Sequence, residues 1–250
     1  MSKEFYRFAP SIGWLIHLWK CATRQDHAAW RGVLEPLIAK DAVVIDVGAH
    51  GGQFTRLLAG LVPNGLVIAV EPSSYARTVL RSALWLRGVR NVTVFASALG
   101  ASPGVALLST PIKRFGDMGY GLAHIRRAAA PAGTDARSAL EPVVVSTLDD
   151  LVEGGGFARV DFIKADIEGY EAALIAGAGA TLKRFRPVLL LEHDATFLER
   201  AGAALETLWA SLLDLGYIPH AVAEDSMTLE QISGGPRQGD IVWRHTGNLH

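Results

Sequence analysis

The sequence predicts a doubly wound α/β fold around a mostly parallel sheet, and three observations predict it. Residues 43–47 are an apolar, β-branched run carrying Asp46, which loosens at once into Gly48, Gly51 and Gly52. Residues 66–70 repeat the pattern and end in Glu71 and Pro72. Segments of helical period separate these runs from further apolar runs at 92–97, 160–166 and 187–194. Short apolar runs bounded by glycine or proline are strands buried on both faces, and strands alternating with helices make parallel sheets.

The stretch at 43–52 is the most informative. Glycines past the carboxyl end of a strand let backbone approach a ligand closely, and the next helix aims its amides at the same place. Ligands of open α/β sheets sit there. A dinucleotide fingerprint needs glycine two positions after Gly48, but His50 occupies it, and no phosphate-cradling G-x-x-x-x-G-K-[ST] occurs. What remains, Asp46, Gly48, His50 and Gly52 at alternate positions, resembles motif I of methyltransferases that use S-adenosylmethionine (SAM).

The other elements follow in order. Residues 8–19 are apolar but short and interrupted by Pro10, Gly13 and His17, below the roughly 18 residues of a bilayer span. They lack the small-residue cleavage site of a signal peptide. Trp14, Leu15, Leu18 and Trp19 at helical spacing should pack this segment as a lid or subunit contact, with an interfacial membrane helix as the alternative. Residues 1–40 are thus an N-terminal helical segment, with a helix expected over 26–40, and 41–250 the main domain. A helix opens at Phe54, and Pro63, Asn64 and Gly65 mark a turn. Glu71 lies about twenty residues past the glycine corner, where such sheets place a carboxylate on ribose hydroxyls. A helix over 73–87 capped by Ser73 or Ser74 follows, then a strand over 92–97 that sets Ser97 and Ala98 at the rim.

Residues 100–109 should form a hairpin arm, and 110–141 a long loop that covers an acceptor or simply runs through solvent. Residues 143–152 pass from strand to helix. In 160–171 a strand ends at Lys164 to Asp166, and one helix runs from about Gly169 through Leu182. Asp166 and Glu168, two apart, would share a face, while Glu171 suits a helix start. A strand over 187–194 ends in Glu192, His193 and Asp194; a helix over 203–216 and strands at 217–222 and 240–244 close one domain.

Composition narrows the function. Half of the 250 residues are hydrophobic, enough for a large core, and 24 Lys and Arg against 25 Asp and Glu leave a net charge of −1. Bulk charge therefore gives no reason to expect a nucleic-acid partner. A single cysteine, Cys21, precludes an internal disulfide and suits a reducing cytoplasm; its simplest role is packing.

The segments Asp46 to His50, Glu71-Pro72, Ser146 to Asp150, Lys164-x-Asp166-x-Glu168-Gly169-x-Glu171 and Pro187 to Glu192 occur in an order that resembles the FkbM-type SAM-dependent methyltransferases. The resemblance covers about 43–195, with the Lys164 to Glu171 segment its most specific part. It implies a class I methyltransferase fold, Rossmann-like, with an antiparallel closing strand. It also implies O-methylation of a small hydroxylated acceptor of sugar, glycan or natural-product type. Cofactor contacts would come from Asp46, Gly48, Ala49, His50, Gly52, Phe54, Glu71, Pro72, Ser97, Ala98 and Asp166. Asp166, Glu168 and His193 are the candidate bases, because each should stand at the carboxyl rim of adjacent strands. A divalent ion held by Asp166, Glu168 and Glu192 is the alternative means of acidifying the hydroxyl, though no ligand spacing demands it. Two other classes remain, a nicotinamide-binding oxidoreductase and a non-catalytic module with the same fold. A homo-oligomer is compatible with either.

Overall fold

The computed structural model describes residues 10–111, 124–126, 138–223 and 228–248. Its central sheet has eight strands: β1 (Val43–Val47), β2 (Leu66–Val70), β3 (Val92–Phe95), β8 (Phe162–Ala165), β9 (Val188–His193), β10 (Tyr217–Val222), β11 (Leu229–Gln231) and β12 (Gly239–His245). Their spatial order is β11-β10-β12-β9-β8-β1-β2-β3. The five strands from β3 to β9 run parallel, and β12 is inserted antiparallel to both β9 and β10. The order reverses at β1, whose neighbours β2 and β8 leave a crevice beyond their carboxyl ends.

Strand burial follows the apolar runs. Val44 and Ile45 of β1, Val67 and Ile68 of β2, and Phe162 and Ile163 of β8 are all within 2% exposed, so both sheet faces are covered. Each such side chain contributes about 1.5–3 kcal/mol. One face packs Ile45, Ile68, Leu189 and Leu191 against α5 (Leu148–Gly154), α6 (Glu171–Ala176), α7 (Gly179–Phe185) and α9 (Leu205–Asp214). The other packs Val44, Phe162, Leu190 and Val242 against α2 (Trp30–Leu34) and α3 (Gln53–Leu61). At the far edge α1 (Ile12–Thr23) lies on α4 (Ser74–Leu86), with Trp14 Nε1 donating to Thr78 Oγ1 at 2.9 Å.

Several expectations are corrected. The helix expected over 26–40 shrinks to the five residues of α2, because Gly32 lies within it and Pro36, lacking an N–H, cannot extend it. On α1, Trp14 and Leu18 pack inward on Tyr75 and Val79, whereas Leu15 and Trp19 face outward, 56% and 59% exposed. The strand expected over 92–97 breaks after Phe95, and β4 (Ala98–Leu99) joins a second sheet. The helix expected from Gly169 to Leu182 is two, α6 and α7, interrupted at Gly177, where a side chain would meet Gly100 O at 2.1 Å. A short helix, α8 (Ala195–Ala201), capped by Asp194 on Phe197 N, was not foreseen, nor was edge strand β11.

The single-sheet expectation is also incomplete. β4, β5 (Gly104–Pro111), β6 (His124–Arg126) and β7 (Ser138–Ser146) form a second sheet in the order β4-β7-β5-β6. The arm at 100–109 therefore pairs with β7, more than thirty residues away, and the ends of the expected 110–141 loop are strand. Apart from β6, residues 112–137 of that loop, and with them the cover expected over an acceptor, lie outside the described residues. Glu141 of β7 accepts the amide of Ser74 at 3.0 Å and so anchors this sheet on the start of α4. Among the described residues, no helix is long and apolar enough to cross a membrane.

Candidate functional site

A cavity of about 290 Å³ opens where β1, β2 and β8 end, walled by the 47–54 loop, Glu71 to Ser73, Ser97 to Leu99 and the rim from Asp166 to Tyr170. Its floor is the turn after β1. Gly48 and Ala49 donate their amides to Val70 O at 3.0 and 3.2 Å, and His50 donates to Glu71 Oε2 at 2.8 Å. Gly48 is at φ +78°, and a Cβ there would fall 2.1 Å from Asp166 O, so only glycine lets the loop meet the β8 rim. His50 itself is left-handed, at φ +46°. Its ring lies 5.3 Å from that of His17, which in turn stacks on Tyr75.

Glu71 is 6% exposed at the end of β2. Besides holding His50 N, it accepts the amide of Ser73 on Oε1 at 2.8 Å. Burial outweighs these bonds and pushes its carboxyl up to about 7. A carboxylate has roughly four acceptor directions, so two backbone amides leave capacity for a pair of hydroxyl donors from the cavity.

The β8 rim carries the charge. Lys164 is buried, with Nζ 3.7 Å from Asp46 Oδ1, 3.4 Å from Asp166 Oδ2 and 5.4 Å from the Phe54 ring centroid. Burial alone would lower its pKa, but Asp166 and Asp46 outweigh burial and raise it. Lys164 in turn holds the Asp166 carboxyl below the usual carboxylate range, helped by a hydrogen bond from Glu192. Burial, and then the Asp166 charge, push Glu192 up to about 8.

After Ala165 the strand ends, and Glu168 turns left-handed at φ +56°. Asp166 and Glu168 do meet in one cavity, but through this turn and not through strand alternation. Gly169 at φ +98° completes the turn where a Cβ would lie 2.2 Å from Phe197 O. Glu171 closes it from beneath by accepting the amide of Ile167 at 3.0 Å. Glu168 pairs with Arg200 at 3.5 Å. Burial raises its carboxyl above the ordinary value, against the pull of Arg200.

Of the residues singled out from sequence, Gly48, Ala49, His50, Gly52, Phe54, Glu71, Pro72, Ser97, Ala98, Asp166 and Glu168 all wall this cavity. Two do not. Asp46 is wholly enclosed, accepting Thr55 Oγ1 at 2.6 Å and pairing with Lys164, so it braces the corner from behind. His193 is 1% exposed and points to the opposite sheet face, its ring 5.7 and 5.8 Å from those of Trp209 and Trp243. Adjacent residues of a strand face opposite ways, so Glu192 looks toward Asp166 while His193 looks away. Among the described residues, no three His, Cys, Asp or Glu side chains are arranged to share a metal ion.

Wall residues that the sequence does not single out as site residues include Cys21, His27, Lys164 and Tyr170. Lys164 and Tyr170 lie within the Lys164 to Glu171 segment and could have been found there. Cys21 and His27 belong to the N-terminal segment and carry no local signal. Cys21 Sγ rests where a Cβ on Gly51 would come within 2.3 Å, and burial raises its thiol to about 11.

Residues 46–219 match the family model of the methyltransferase FkbM domain. Over 195 residues the chain is 27% identical to the AMB antimetabolite synthetase AmbE of Pseudomonas aeruginosa. That match takes in 67% of this chain and 9% of the relative, so the chain spans a small part of that protein's length. Among solved structures, methyltransferase FkbM from Methylobacillus flagellatus has TM-score 0.49 and 14% identity over 92% of this chain and 58% of that one. A methyltransferase candidate from Streptococcus mutans in complex with SAH has TM-score 0.49 and 9% identity, over 89% of this chain and 98% of that one. A SAM-dependent O-methyltransferase from Thermotoga maritima has TM-score 0.44 and 11% identity, over 94% and 70%.

Proposed function

Because the chain belongs to the FkbM methyltransferase family and is a SAM-dependent methyltransferase with the class I fold, we propose that it O-methylates a small hydroxylated acceptor of sugar, glycan or natural-product type. The observation that carries this reading is one cavity shared by a buried carboxylate at the end of β2 and two carboxylates at the end of β8.

The residues suit the cofactor. Glu71, acceptor-only when ionised and buried in the wall, would take the two ribose hydroxyls. Ser97 and Ala98 would flank the base, and the 48–54 loop would hold the amino-acid end. The bound cofactor supplies a methyl on a sulfonium, whose sulfur departs as a neutral thioether. The protein then has to align an oxygen with that methyl and dispose of a proton. Asp166, kept ionised by Lys164, accepts the hydrogen bond of the incoming hydroxyl and orients its lone pair. Glu168, tied to Arg200, narrows the same rim.

Titration calorimetry with S-adenosylhomocysteine (SAH) and with NAD tests the binding half of the proposal. Micromolar SAH binding with no heat from NAD supports it; NAD binding without SAH binding overturns it in favour of an oxidoreductase. Labelled SAM incubated with a library of monosaccharides and hydroxy acids tests the acceptor class. Transfer to amines or thiols alone would refute O-methylation.

A further inference from the structure

The hydroxyl proton needs a destination, and on the β8 rim the carboxylate raised by burial, Glu168, is held back by Arg200 at 3.5 Å. Asp166 is stabilised as an anion by Lys164, which makes it a weak proton acceptor. His193, the histidine expected from sequence, lies in an aromatic cluster on the other face.

The geometry points to His27 as the general base: it lines the same cavity as Asp166, from a segment that precedes the family-matched residues 46–219. This inference rests on the methyl-transfer reading above and adds a residue to it. His27 lies over Phe54, ring centroids 5.3 Å apart and tilted by 59°, and Phe54 also receives Lys164 at 5.4 Å. Phe54 is thus a wedge with the β8 cation and the N-terminal imidazole both resting on it. The charged groups facing His27 are Asp166 from β8 and Asp240 from β12, both of which feel its charge.

The placement is enforced by α3. Arg56 donates to the carbonyls of Cys21 and Arg24, the latter at 3.1 Å, and Gln53 Nε2 donates to Asp26 Oδ2 at 3.1 Å. Three residues shortly before His27, namely Cys21, Arg24 and Asp26, are therefore pinned by the helix that leaves the 48–54 loop. The chain then turns back, with Trp30 N bonded to His27 O at 3.0 Å.

The step balances. The acceptor oxygen forms a bond to the methyl carbon, the carbon–sulfur bond breaks, and its electron pair stays on sulfur as the thioether. The hydroxyl proton passes to one imidazole nitrogen of His27. The imidazolium then returns the proton to solvent from a half-buried position.

A probe for the locus of transfer requires no acceptor. Sinefungin, a cofactor analogue, carries an ammonium-bearing carbon in place of the methylated sulfur, whereas SAH carries nothing there. With His27 on the same cavity wall, an imidazole nitrogen is an acceptor for that ammonium. At a single fixed pH the ratio of sinefungin to SAH affinity should fall at least about threefold in His27→Ala, with SAH affinity retained within about twofold of the unsubstituted protein. A ratio unchanged in His27→Ala overturns the assignment. So does a loss of SAH affinity beyond about tenfold, which would make His27 a cofactor-binding residue. Failure of the unsubstituted protein to bind either ligand refutes the methyltransferase-site reading instead. With an acceptor in hand, free imidazole should restore turnover to His27→Ala and not to His27→Gln.

Discussion

Glu71 Oε2 accepts the backbone amide of His50 at 2.8 Å, joining the end of β2 to the loop after β1 in the floor of the cavity. In the proposed role the same carboxylate must be ionised to accept two ribose hydroxyls, yet burial lifts it to about 7. SAH binding should therefore tighten about tenfold from pH 6 to 8 as the ionised fraction rises, with proton release near pH 6. Glu71→Gln should weaken SAH binding about 10–100-fold and remove this pH dependence. Calorimetry in buffers of different ionisation enthalpy measures both.

His193 offers a contrasting acid response. Trp243 donates its indole N–H to His193 Nε2 at 3.1 Å, and burial lowers the imidazole to about 4. Its folded pKa lies below the unfolded value of about 6.5, so the unfolded chain binds more protons between the two. Stability carried by the neutral ring is present above about pH 6.5 and drains away as pH falls toward 4, by about 3 kcal/mol. The melting temperature should decline from pH 7 to 5, and His193→Gln should flatten that decline while leaving SAH affinity unchanged.

Asp46 should prove structural. With Lys164 and Thr55 as its partners and no exposure, Asp46→Asn breaks a buried ion pair, for about 3 kcal/mol of stability. A thermal melt should shift down by about 6–12 °C. Any loss of SAH affinity should be explained by that destabilisation, and should vanish when binding is measured well below the melting point.

Gly169 tests the turn that presents Glu168. Alanine there would need φ +98° and a Cβ 2.2 Å from Phe197 O. Gly169→Ala should cost about 2 kcal/mol or more, lowering the melting temperature by at least about 4 °C. Gly179, whose added Cβ would meet no atom within 4 Å, is the control and should tolerate alanine within about 1 kcal/mol.

The sequence by itself determined the central sheet and most of the cavity wall. Strands buried on both faces leave unbroken apolar runs, and the turns at their ends need glycine, so β1, β2, β8 and β9 and the residues at their rims are written locally. The side chains beyond those turns took their directions from tertiary structure. A strand alternates by residue, so whether Glu192 or His193 faces the crevice depended on which sheet face packs Trp209 and Trp243. Asp46 was drawn inward because Lys164, on the neighbouring strand in register with it, needed a counter-charge. The second sheet pairs β5 with β7 across more than twenty intervening residues, a contact no local period encodes. His27 came to the cavity only because Arg56 and Gln53 of α3 fasten the preceding segment there. Backbone periodicity is a property of neighbours in sequence; the pairing of charges and the closing of a site are properties of neighbours in space.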